Sequence, residues 1–187
     1  MSDDIWFPIN KMDAAQAQLD TAIFLLLTDG DLLSIHTLAC AAYGILEDLN
    51  RHSKGEPMLK DCFGIMPEFA AKWRKWVSTP QNYLKHADKD PDVVLRFRPE
   101  ITGIIVMETT HALIRTGGKQ TPLIRAFNIW MTATTSDELY GGVYKIPDAD
   151  IRIACLVRPL FGPADQAKFY QRLCKYNFDF EKAFQNV

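Results

Sequence analysis

KMDAAQAQLDTAIFLLLTDGDLLSIHTLACAAYGILEDLN, residues 11–50, holds two helix-length segments divided by Thr28-Asp29-Gly30. In the first, Met12, Ala15, Leu19, Ile23 and Leu26 recur at helical spacing, and Asn10 precedes them with the side chain of an N-cap. The pattern predicts a helix over 11–27, stopped by Gly30. The second segment predicts a helix over 31–50 with Leu32, Ile35, Ala39, Ala42 and Leu46 on its core stripe. So short a connection folds one helix back on the other, and the expected unit is an antiparallel hairpin.

Residues 51–62 are polar, contain Gly55 and Pro57, and read as a loop. A third helix is predicted over 67–77, with Phe69, Trp73 and Trp76 at helical spacing, interrupted at Pro80. Val93–Arg98 lies between Pro91 and Pro99 and alternates as a short edge strand does. A fourth helix starts near Pro99 and ends at Gly117-Gly118; a fifth is capped by Thr121, with Pro122 in its first turn and Leu123, Phe127, Trp130 and Met131 as its stripe. Beyond Gly141-Gly142 the pattern predicts only short helices, over 148–157 and 163–176. Tyr176, Phe178, Phe180 and Phe184 then form an aromatic tail, expected to dock on its own domain or on a second subunit. The reading is an all-α protein: an antiparallel four- to five-helix bundle over residues 10–140, with a helical C-terminal extension over 141–187.

A chain of 187 residues suits one domain, and 48% hydrophobic with 24% charged residues is ordinary globular composition. The net charge of −2, from 23 acidic and 21 basic residues, excludes a global electrostatic footprint for nucleic acid or acidic membranes, leaving local patches. Cys40, Cys62, Cys155 and Cys174 are widely spaced, and Met1-Ser2-Asp3-Asp4 is acidic, unlike a secretory leader. The expectation is reduced thiols in a cytoplasmic protein. Apolar runs such as Ile23–Leu27 fall short of a membrane span, so no membrane association is expected.

Gln81-Asn82-Tyr83-Leu84-Lys85-His86-Ala87-Asp88 concentrates an amide, a base, an imidazole and a carboxylate between apolar segments. An imidazole titrates near neutrality and suits proton transfer or ligand binding, while Asp88 can orient it or raise its pKa. The structural alternative is that His86 and Asp88 cap helix ends and Lys85 is solvated. A helical hairpin followed by a helix-associated Asn-x-x-x-His resembles the HEPN superfamily of small all-α domains. The Asn-Tyr-Leu-Lys-His-Ala-Asp string is also similar to uncharacterised bacterial proteins with HEPN-like helices. The resemblance implies a dimeric bundle over about 11–135, associated with RNA, in which catalytic members cleave without metal through an Arg-Asn-x-x-x-His motif paired across subunits. His86 matches that histidine and Asn82 its polar partner, whereas Gln81 stands at the arginine. Gln81 supplies no permanent cation for a phosphate, and Lys85, four residues on, is the candidate to replace it.

Two further groupings carry possible chemistry. Glu108 and His111 form a Glu-x-x-His pair on the fourth helix, and His36, Cys40, Tyr43 and Glu47 a stripe on the second. If those helices are neighbours, His36, Glu47, Glu108 and His111 converge on a metal or form a buried hydrogen-bonded network. Trp73 and Trp76 interleave with Lys72, Arg74 and Lys75, a pattern that suits single-stranded nucleic acid or a helix with an aromatic core face. Asp88, Asp90 and Asp92 begin like a calcium loop, but Val93 and Pro99 occupy its glycine and glutamate positions. No cofactor motif is present. The leading expectation is a non-catalytic or weakly catalytic HEPN-like domain, homodimeric, binding nucleotide, RNA or a protein at Gln81, Asn82 and His86. A metal-independent ribonuclease using His86, Asn82, Lys85 and Asp88 is the second. A metal-binding bundle built on His36, Glu108 and His111 is the third.

Overall fold

The computed structural model describes residues 6–61 and 65–134. Among these are five α-helices and no strand: α1 (Lys11–Leu27), α2 (Leu32–His52), α3 (Ala70–Lys85), α4 (Glu100–Arg115) and α5 (Pro122–Thr134), with 3₁₀ turns at Leu59–Asp61 and Pro67–Phe69. The expected extension over 141–187, with its aromatic tail, lies outside the described residues.

The hairpin forms with reciprocal capping at its start. Asn10 Oδ1 accepts from the Asp13 N–H at 2.8 Å while its amide donates to the Asp13 carboxylate at 2.7 Å. Ala15, Leu19, Ala22 and Ile23 are buried along α1. The helix ends as a Schellman turn, but the left-handed residue is Asp29 (φ 59°) and not Gly30. The Gly30 N–H donates to the Leu25 carbonyl at 2.7 Å. A Cβ at Gly30 would crowd Leu25, meeting its Cδ2 at 2.9 Å, its Cβ at 3.0 Å and its carbonyl oxygen at 3.1 Å, which favours glycine at this turn. Asp31 then caps α2, its carboxylate accepting from the Ser34 N–H at 2.7 Å.

Helix α2 is the centre of the packing, in contact with α1, α3 and α4. It buries Ile35, Ala39, Cys40, Ala42, Tyr43 and Leu46, each large apolar side chain contributing about 1.5–3 kcal/mol on burial. By length and mean composition α2 is apolar enough to cross a membrane, although its apolar residues are interrupted by polar ones. In the fold it buries polar His36 and Asn50 against its neighbours. Helix α4 runs beside it, with the His36 ring against Thr102 and the Thr109 hydroxyl directed at the Ala39 carbonyl. Helix α5 is tied to α1 through Thr121, whose hydroxyl donates to Asp20 at 2.6 Å and accepts from the Ile124 N–H. Its described core positions are Ile124, Phe127, Asn128 and Met131, with Leu123 at the margin; the Trp130 side chain lies outside the described residues.

Two expectations are corrected. Helix α3 does not stop at Pro80 but continues to Lys85. Proline deletes one backbone hydrogen bond, yet Trp73, Val77, Pro80 and Gln81 make one continuous buried stripe, and that packing carries the helix through. Residues 93–98 form no strand: no strand or bridge pairing occurs among the described residues. The segment is held by side chains instead: Tyr83 donates to the Val93 carbonyl at 2.7 Å, and Phe97 meets the His36 ring edge-on at 5.2 Å.

Candidate functional site

Because α3 extends through Pro80, the polar octapeptide 81–88 is mostly helical. His86 is its C-cap, with its N–H donating to the Asn82 carbonyl at 3.1 Å. Asn82 and His86 are therefore one turn apart on the same exposed side. The chain then turns at Asp90–Val93 and comes back past α3, pinned by the Tyr83 hydroxyl. The result is an open hollow of about 300 Å³. Thr79, Asn82, Tyr83 and His86 form one wall; Lys89, Asp90, Val93 and Leu95 form the other. It offers amide, phenol, imidazole, ammonium and carboxylate groups beside the apolar Val93 and Leu95, a composition suited to a small polar, partly planar ligand.

The other sequence candidates lie elsewhere. Lys85 and Asp88 are exposed and take no part in the lining. Gln81 is buried on the opposite side: its Nε2 donates to the Cys40 carbonyl at 3.3 Å, and its Oε1 accepts from Lys60 Nζ at 2.7 Å. Five helical residues rotate a side chain about 140° from its starting direction, so Gln81 and His86 cannot share a cleft on one helix. The expected trio of Gln81, Asn82 and His86 is split into a structural amide and a surface pair. Tyr83, Lys89 and Asp90 belong to the hollow although their sequence pattern assigns them no role. The signal was Pro91, whose turn sends the chain back over α3.

The exposed side of α3 carries basic and neutral residues and no acidic one. Lys72, Lys75, Thr79, Asn82 and His86 are all exposed and fall within about 80° of one another around the helix. No acidic residue occurs between Glu68 and Asp88, and Arg74 and Lys85 flank the stripe. Trp73 faces inward, its indole N–H donating to the Leu59 carbonyl at 2.8 Å. Trp76 is half-buried, its ring 5.3 Å from that of Trp73. Of the interleaved pair, one ring is core and the other borders the basic stripe.

The converging metal set does not form. Among the described residues no three His, Cys, Asp or Glu side chains gather where they could hold an ion. His36 is fully buried, with Nδ1 3.2 Å from the Thr102 hydroxyl and Nε2 3.4 Å from Cys40 Sγ. Glu108 accepts from Arg115 at 3.0 Å. Burial pushes His36 down to about 4 and the Cys40 thiol up to about 11, so this pair is neutral imidazole and neutral thiol. His111 is likewise lowered to about 4, first by burial and then by the Arg115 charge. Burial raises Tyr43 and Glu47. A second polar group is built around Lys60: its N–H donates to Tyr43 Oη at 3.1 Å, and its ammonium lies 5.0 Å above the Tyr43 ring while bonding Gln81. These bonds fasten the 3₁₀ turn to α2 and α3.

Fold and site together define an all-α protein with an open polar hollow at the end of a basic helix face. Comparison of the chain with protein-family models, curated proteins and solved structures gives no match.

Proposed function

We propose that the protein is a HEPN-like helical domain, of the antiparallel bundle kind, that binds single-stranded RNA or a nucleotide along α3 without cleaving it. The observation that supports this is the single exposed stripe of Lys72, Lys75, Thr79, Asn82 and His86, which leads into the hollow. Lysines attract phosphates by charge alone, and the amide, imidazole and phenol walls suit the edge and face of a base. Binding is favoured over cleavage by Gln81. The position that matches the motif arginine is turned into the core and occupied with Lys60, so it brings no cation to a phosphate beside His86.

The test is fluorescence anisotropy with a labelled twelve-nucleotide RNA in chelator. Wild type should bind in the micromolar range, more weakly as salt rises. Asn82→Ala/His86→Ala should lose about tenfold, corresponding to about 1.4 kcal/mol, and Lys72→Glu/Lys75→Glu should flatten the salt dependence. The RNA should be recovered intact. Equal affinity in all three proteins removes the reading, and cleavage that depends on His86 replaces it with the nuclease.

A further inference from the structure

Two of the polar side chains that line the α3 hollow are committed within the fold. The Thr79 hydroxyl donates to the Lys75 carbonyl at 2.7 Å, and the Tyr83 hydroxyl to the Val93 carbonyl at 2.7 Å. The other four, Asn82, His86, Lys89 and Asp90, make no side-chain hydrogen bond or ion pair with any of the described residues. The Asn50 amide and the Lys60 ammonium, by contrast, are both bonded within the protein. Asp90 is the sharpest case. It is half-buried and opens the turn in which its carbonyl accepts from the Val93 N–H, a position where an aspartate side chain ordinarily bonds the backbone two residues on. Here the carboxylate takes no part in the turn. A half-buried carboxylate without a donor carries a desolvation cost that an N–H from a ligand would offset.

We propose that the hollow selects guanine, with Asp90 accepting from N1–H and the N2 amino group and Lys89 donating to O6. This rests on the reading of the hollow as a base site. The Watson–Crick edge of guanine presents an acceptor and then two donors, and the adjacent ammonium and carboxylate of Lys89 and Asp90 are its complement. Two N–H groups on one carboxylate form a charge-assisted, bidentate pair, the arrangement that discriminates best between bases. The other bases fail at Asp90. Adenine brings the N1 lone pair, and cytosine the N3 lone pair, against the carboxylate; uracil offers one N–H between two carbonyl oxygens. Across the hollow, Tyr83 has given its proton to Val93, so its oxygen can only accept from a ligand, and its ring is fixed as a face for stacking.

The place of the hollow in the fold suits a base and not a phosphate. It lies at the C-terminal end of α3, where unpaired carbonyls make the helix end negative. The charges of Lys89 and Asp90 cancel. At about 300 Å³ the hollow is at the lower limit of small-molecule sites, which run from about 300 to 1,000 Å³, so it holds one base and not a stretch of RNA. Phosphates of neighbouring nucleotides fall instead to Lys75 and Lys72, about two and three turns before Asn82 on the same exposed side.

The test is isothermal titration calorimetry of the full chain with GMP, IMP, AMP, CMP and UMP to millimolar concentration, beside anisotropy with twelve-nucleotide RNAs of uridine alone or with one guanosine. GMP should bind at least tenfold more tightly than AMP, CMP or UMP, and one guanosine should tighten the RNA by a similar factor. IMP lacks the N2 amino group and should fall between. Asp90→Asn keeps the shape and turn preference of the side chain, so it should melt at the wild-type temperature while binding GMP and IMP alike. RNA bound without regard to guanosine, with the five mononucleotides equal, overturns the guanine assignment and leaves RNA binding along α3 standing. An Asp90-dependent GMP preference without RNA affinity upholds the assignment and removes the RNA. A GMP preference undiminished in Asp90→Asn overturns it, and binding of none of these probes overturns both.

Discussion

Acidification between pH 7 and pH 5 should destabilise this protein through its buried imidazoles, before most carboxylates titrate. An unfolded histidine takes its proton near 6.5, whereas burial holds native His36 and His111 at about 4. Between those values the unfolded chain binds more protons, so stability falls as pH falls; it is fully present above 6.5 and lost down to 4. Each pH unit below 6.5 costs about 1.4 kcal/mol per buried imidazole, which makes about 2 kcal/mol at pH 5 and about 3 kcal/mol at pH 4. Two of them remove about 4 kcal/mol by pH 5, a large share of the roughly 5–15 kcal/mol that holds a domain folded. Glu47 acts in the opposite sense, because burial raises its carboxyl and the native state gains from its protonation. The comparison is therefore made with His36→Gln, in which Glu47 is unchanged. Urea midpoints at half-unit pH steps should show wild type losing about 4 kcal/mol from pH 7 to 5 and the variant about half that. The native His36 ring resonance should not titrate above pH 5. A flat wild-type stability curve over this range, or a His36 titration near 6.5, would refute the reasoning.

Two further outcomes follow from α3. Gln81→Arg supplies the arginine of the resembled motif but buries a guanidinium beside the Lys60 ammonium, with the Cys40 carbonyl to accept from it and no carboxylate bonded to position 81 to balance the charge, so denaturant titration should show a loss of about 3–5 kcal/mol and RNA should stay uncut; unchanged stability would mean that position 81 faces solvent. Pro80→Ala should raise the thermal midpoint, the roughly 3 kcal/mol helix penalty of proline being partly offset by lost ring packing and a freer unfolded chain, for a net gain of about 1–2 kcal/mol. A fall in the midpoint would show that the ring's contacts matter more than the missing hydrogen bond.

Local patterns in the chain were enough to place α1, α2 and α4, and the start of α5, within a residue or two. Asn10, Asp31 and Thr121 cap helices because their side-chain oxygens satisfy N–H groups only three residues away, an arrangement independent of the rest of the fold. The all-α class followed from the same short-range periodicity. The prominence of residues 81–88 was likewise legible, and so were the basic residues of α3.

Tertiary packing settled the rest. Pro80 is a helix breaker by local rule, and only the buried stripe of Trp73, Val77 and Gln81 against the neighbouring elements overrides it. Once α3 continues, helical rotation sends Gln81 to the Cys40 carbonyl and Lys60 while Asn82 and His86 face outward. For His36, Glu108 and His111, whose spacing allowed a metal, Cys40 and Arg115 are neighbours one or two turns away on the same helix, and only Thr102, which meets His36 from α4, is supplied by packing between distant segments. Spacing along one helix determines which side chains share a direction. What each of them meets there depends on which other segment the core brings alongside, and that is written in no single stretch of residues.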